Sequence, residues 1–166
     1  LAGLGISATS DRNVFIGHGA GRYSSGGCFN LVLGEHSGSY VTGNRNVFLG
    51  QYAGFNQCVT GNQNVVIGDA VCLPSASGSK QLAIGAGSTN WISGDCSFNV
   101  GIGTTNPIAK LDVYDNSAGI SGIIQVTQDG TGDATIDFQL KDIQEYTLGI
   151  DNSDGDKFKI SGATNL

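Results

Sequence analysis

A pentapeptide returns six times within the first 103 residues, and no other feature constrains the fold as tightly. Its copies are Asn13-Val14-Phe15-Ile16-Gly17, Asn30-Leu31-Val32-Leu33-Gly34, Asn46-Val47-Phe48-Leu49-Gly50, Asn64-Val65-Val66-Ile67-Gly68, Gln81-Leu82-Ala83-Ile84-Gly85 and Asn99-Val100-Gly101-Ile102-Gly103, spaced by 17, 16, 18, 17 and 18 residues. A fixed period of this size means that each copy belongs to one structural unit stacked on the next. The residues between amide and glycine are almost all apolar, mostly β-branched or aromatic, which is the pattern of a short strand between tight turns. The expectation is an all-β fold: a β-solenoid over residues 1–103, six coils of about 17 residues, with successive strands in a parallel ladder about 4.8 Å apart.

Stacking turns equivalent residues into columns. Asn13, Asn30, Asn46, Asn64, Gln81 and Asn99 form an amide column, in which side chains can donate and accept along the axis as in cross-β assemblies, a structural role rather than a ligand contact. The glycine that closes each copy marks a corner needing positive φ or close backbone approach. A second glycine stands three residues ahead of four of the amides (Gly27, Gly43, Gly61, Gly78), and the first three copies continue Gly-x-x-Ala/Ser-Gly.

Because side chains alternate along a strand, the columns of Val14 and Ile16 point one way and the column of Phe15, Val32, Phe48 and Val66 the other, yet both faces are apolar. A solenoid needs only one face for its own core. The second needs cover, and further copies of the chain are the economical source, so the Phe15, Val32, Phe48 and Val66 column is expected near the axis of a parallel homotrimer; the alternative is that the variable half of the same coil folds over this face.

The repeat ends at a junction, residues 104–107, where Pro107 restricts the chain, and charge changes with it. Residues 1–103 carry Arg12, Arg22, Arg45 and Lys80 against Asp11, Glu35, Asp69 and Asp95, while residues 104–166 hold 4 lysines and 10 acids, which accounts for the whole net charge of −6. Residues 108–166 read as an antiparallel β domain with strands over 109–113, 124–127, 135–140, 146–150 and 157–160. The acid-rich stretch Asp151-Asn152-Ser153-Asp154-Gly155-Asp156 lacks the spacing and distal Glu of a calcium loop and reads as a turn.

The acidic balance argues against nucleic acid, whose phosphates need a basic surface, and no apolar run is long enough for membrane insertion. Glycine makes up 27 of 166 residues, but with only 2 Pro and 39% hydrophobic content the chain has the means to fold. The absence of Met and of any terminal signature leads to the expectation of a segment of a longer polypeptide. Cys28, Cys58, Cys72 and Cys96 sit at offsets 11, 8, 4 and 11 from their coil glycines, a register that keeps them too far apart for a disulfide framework and suits a reducing cytosol. His18 and His36 are read as too isolated for a metal site or a nucleophile–base pair, and Glu35 and Asp69, two coils apart on a solvated corner, lack the apolar pocket of a catalytic acid. No enzyme activity and no cofactor is expected.

The repeat N-V-[FV]-[IL]-G-x-x-A-G, the junction from Asn99 to Pro107 followed by Ala109-Lys110-Leu111-Asp112-Val113, and the segment from Tyr146 to Ser161 together resemble tail-fibre and appendage proteins of bacteriophages. The glycine-rich repeat alone is also similar to the heads of trimeric autotransporter adhesins. The phage resemblance implies a homotrimeric structural fibre of the virion, assembled in the host cytoplasm. Its partners would be itself, other virion tail proteins and a glycan or protein receptor on the host cell, to which it attaches. A self-cleaving chaperone of the endosialidase type often follows in that family, and the paired-histidine iron motif of some tail fibres is absent here. The alternatives are a trimeric adhesin on a bacterial cell surface and a glycan-cleaving tailspike.

Overall fold

The computed structural model describes residues 2–3, 11–55, 57–119, 123–141 and 144–162. It divides into two compact units, Leu1–Ala118 and Gly119–Leu166.

In the first unit, strands β1 (Val14–Ile16), β2 (Leu31–Leu33), β3 (Val47–Leu49), β4 (Val65–Ile67) and β5 (Leu82–Ala86) pair in parallel and in register, each copy of the pentapeptide on the next. They form a β-solenoid of about four turns with roughly 17 residues per coil. The expected fifth and sixth coils are absent. After Gly87, at φ +60°, β6 (Thr89–Gly94) folds back antiparallel onto β5. The last copy, β7 (Val100–Ile102), then pairs antiparallel with β6. The interior explains the change, because the central position runs Phe15, Val32, Phe48, Val66 and Ala83 and then becomes Ser93, Gly101 and Asp112, leaving nothing apolar to fill another coil.

A second difference concerns Leu111–Val113, expected in the antiparallel domain. As β8 it pairs in parallel with β7 and completes an eight-stranded sheet ordered β1 to β8. The expected strand over 124–127 is not formed either. The second unit is a three-stranded antiparallel sheet of β9 (Ala134–Leu140), β10 (Gln144–Asp151) and β11 (Lys157–Ser161), with β10 central. A single 3-10 turn, Asn152–Asp154, joins the last two strands.

The solenoid interior is built by the middle residue of each strand and by the returning half of the coil. Val32, Phe48, Val66 and Ala83 are 0% exposed and pack with Ala20, Val41, Ala53, Val59, Val71 and Leu73. Phe15 is partly buried against the same cluster. The small residues of the Gly-x-x-Ala/Ser-Gly continuation make this possible, since a side chain at Gly21 or Gly54 would enter the ring of Phe15 or Phe48. The corner glycines Gly17, Gly34, Gly50 and Gly68 all hold φ between +123° and +133°, and a Cβ on any of them would strike the backbone of the coil above. Both demands are ones that only glycine meets.

Candidate functional site

The amide column locks one coil to the next through the backbone. The Asn13 Oδ1 accepts from the Asn30 N–H at 2.8 Å, while its Nδ2 donates to the carbonyl of Gly27 at 2.8 Å. The same pair of bonds recurs upward, from Asn30 to Asn46 and Gly43, from Asn46 to Asn64 and Gly61, and from Asn64 to Gln81 and Gly78. Each side chain therefore staples both ends of the Gly-x-x-Asn turn in the following coil, and its neighbour's amide is needed for its backbone more than for its side chain. The ladder ends at Gln81, whose amide turns to the backbone of Ser75. Asn99 lies outside it: its N–H and Nδ2 both donate to Asp95, in a loop of its own. A second column, Cys28, Asn44, Asn62 and Ser79, runs in the opposite sense, each side-chain oxygen from Asn44 onward accepting from the backbone N–H of the coil below.

The column of Phe15, Val32, Phe48 and Val66 is not an outer face. Three of these four side chains are sealed inside their own chain and offer no surface to a partner. The outer face belongs to the flanking positions. In register across the eight strands stand Val14 and Ile16, Leu31 and Leu33, Val47 and Leu49, Val65 and Ile67, and Leu82 and Ile84, continued by Gly94 and Ile92, Val100 and Ile102, and Leu111 and Val113. One glycine aside, this is an unbroken double row of Val, Leu and Ile across eight strands, a span of roughly 34 Å at about 4.8 Å per step. Ile16 is 55% exposed, Leu33 42%, Ile102 42% and Leu111 59%.

The three-stranded sheet repeats this arrangement. Ala134, Ile136, Phe138 and Leu140 share one face with Tyr146, Leu148 and Ile150 and with Phe158 and Ile160. Phe138, Tyr146, Phe158 and Ile160 are each more than half exposed. On its opposite face Thr147 donates to Asp137 at 2.7 Å, and Lys159 lies 2.6 Å from Asp151 and 2.8 Å from Asp154. Asp151 also accepts from the N–H groups of Ser153 and Asp154, capping the turn. The Lys159 hydrogen bond, then the Ser153 hydroxyl, hold the Asp151 carboxyl down to about 2. Its acid-rich turn is thus a capped and lysine-neutralised one.

Little in the first unit resembles acid–base machinery. Glu35 and Asp69 stand exposed on the corner, Glu35 accepting from the Gln51 amide at 2.8 Å. A recess of about 540 Å³ lies between Pro74, Gln81, Asp95 and Pro107, but Gln81 and Asp95 already bind Ser75, Ser97 and Asn99. Hydrogen bonding by the Asn99 N–H, first among several donors, keeps the Asp95 carboxyl below its usual range, the reverse of a catalytic acid. Burial pushes the Cys72 thiol up, away from the reactive thiolate. One constellation does depart from the sequence reading: His18 and His36 are neighbours across the first two coils, with ring centroids 5.3 Å apart and Glu35 beside His36 in the second coil. They occupy adjacent columns of adjacent coils, which a column-by-column comparison passes over.

Fold and surface together define a class, a β-solenoid repeat protein whose outward sheet face is apolar from end to end. No family model, no curated protein and no solved structure matches the chain.

Proposed function

We propose that this chain is a structural segment of a bacteriophage tail fibre or related virion appendage, built by self-association and serving host attachment. The observation that carries the reading is the double row of Val, Leu and Ile across the eight-stranded sheet, exposed on β1, β2 and β7 and half-buried across β3 to β5 in the single chain. Soluble monomers seldom leave a contiguous apolar strip of this extent uncovered. Three parallel copies turning this face toward a common axis would cover it, with Ile16, Leu33, Leu49 and Ile67 meeting their counterparts. The exposed apolar face of the three-stranded sheet supports self-association as well, being a second patch of the kind that partner copies cover. The repeat, junction and C-terminal motifs that resemble phage appendages supply the biological setting.

The reading is tested by the solution mass of the chain. Sedimentation equilibrium should return three times the 17.0 kDa of one chain, and an Ile67→Asp variant should return one chain mass with its β-sheet circular dichroism retained. A well-folded wild-type monomer at tens of micromolar would contradict it. Antibodies to the chain should then label an appendage of the virion rather than its head or the host envelope.

A further inference from the structure

The corner that joins the first two coils brings together the only two histidines of the chain and a carboxylate. One ligand atom from each of His18, Glu35 and His36 lies within 4.8 Å of the others. The His18 Nδ1 stands 3.8 Å from the Glu35 Oε1, too far for a direct hydrogen bond. Two ligands on one tetrahedral ion, with metal–nitrogen and metal–oxygen bonds of about 2.0 to 2.2 Å, are separated by roughly 3.3 to 3.6 Å. The gap between these side chains is close to that spacing, and His18 and Glu35, at 70% and 46% exposure, are free to close the rest by small rotations.

The surroundings orient the three groups. Gln51 donates its amide to the Glu35 Oε2, which leaves Oε1 turned toward the histidine. His36 is stacked on Tyr52, with ring centroids 5.6 Å apart and planes only 2° from parallel. Its imidazole lies over Gly19, where any Cβ would collide with the ring, so the glycine preserves the space that the ring fills. The backbone N–H of His36 donates to the carbonyl of His18 at 2.8 Å, tying the two positions together across the coils. Outer partners that fix a carboxylate oxygen and an imidazole plane are the usual support of a metal ligand.

We propose that His18, Glu35 and His36 bind one divalent transition-metal ion of the zinc, nickel and copper group, which clamps the first coil to the second. Two imidazoles and one carboxylate suit these ions and not calcium or magnesium, which prefer all-oxygen sites. The remaining coordination position is left for water. The acidic turn of the second unit makes the contrast: Asp151 and Asp154 are bridged by Lys159 and have no nitrogen ligand among them.

Zinc titration of the untagged full chain, followed through the imidazole Cε1–H resonances, decides the matter because His18 and His36 give the only such signals. Both should move with one shared midpoint and saturate at one equivalent, while calcium leaves them in place. The exposed substitution His18→Gln should weaken the response of His36 by about tenfold or more, and Glu35→Gln should do the same. Imidazole signals that stay unmoved up to roughly millimolar zinc, the weak end of specific affinity, would overturn the site, including the case in which zinc goes to the cysteines. Independent midpoints for the two histidines, unchanged by replacing the other, would overturn it equally.

Discussion

The two units solve the same problem, an apolar sheet face in water, by different means. In the solenoid the returning half of each coil covers the inner face, so Val32, Phe48, Val66 and Ala83 lose all contact with solvent within one chain. In the three-stranded sheet no such layer exists among the described residues. Its buried side chains are the polar Thr147 and Asp151, while Ile136, Phe138, Tyr146, Phe158 and Ile160 are exposed. Hydrophobic burial inside the chain therefore stabilises the first unit, and the second is held by its ladder, its capped turn and the Lys159 pairs. A period of about 17 residues is enough to wrap one face of a three-residue strand, but the chain itself leaves the other face uncovered.

The largest expected effect is a contrast in hydrogen exchange at dilutions where the chain is monomeric. Amides of β2 to β4 should be protected to the level of global unfolding and those of β9 to β11 should open locally, far below it. Raising the concentration should protect the second sheet if partners cover it; equal protection of both units in a monomer would break the contrast. Next, Phe48→Ala should destabilise the solenoid by about 3 to 5 kcal/mol, the cost of emptying a large aromatic site in a rigid core. Phe158→Ala in the second unit should cost well under 1 kcal/mol in the monomer, both changes read from denaturant midpoints.

Asn46→Ala should follow at about 3 kcal/mol, because it leaves the buried Asn64 N–H and the Gly61 carbonyl without partners. A loss below 1 kcal/mol would mean that water replaces the ladder. The smallest effect is on pH. The Asp151 carboxyl is lower in the folded sheet than in an unfolded chain, so its contribution is complete above about pH 4 and is lost as pH falls toward 2. Asp151→Asn should flatten that part of the acid profile, followed by circular dichroism, and leave the profile above pH 5 unchanged.

Strand positions in the solenoid were legible because the amide, the apolar triplet and the glycine recur together, and the registers of β1 to β5 follow them without a slip. Which face is inside was not legible from the triplets, since Val47-Phe48-Leu49 is apolar throughout and alternation carries no sign. The sign lay in the return segment, where Gly54 and Ala53 leave room for the Phe48 ring; small residues there mark the central position as inward. The early end of the solenoid also had a signal. The sixth copy has Cys96 where Gly27, Gly43, Gly61 and Gly78 stand, and the alternating run from Thr89 to Ser93 supplies a strand of its own. The His18–Glu35–His36 corner was hidden by a shift of one column between coils, which only the backbone path reveals.

The central claim is that adjacent residues of one strand serve different bodies, Phe48 the chain's own core and Leu49 the interface with another copy. Sedimentation equilibrium with circular dichroism on two single variants, Phe48→Asp and Leu49→Asp, tests it most directly. Phe48→Asp should lose the solenoid's share of the β-sheet signal, because a carboxylate cannot be sealed unpaired in the solenoid interior. Leu49→Asp should keep that signal and sediment as a monomer of 17.0 kDa, while the unaltered chain sediments as a trimer. A folded Phe48→Asp chain, or a Leu49→Asp chain that still assembles as the unaltered one does, would contradict the assignment of the two faces.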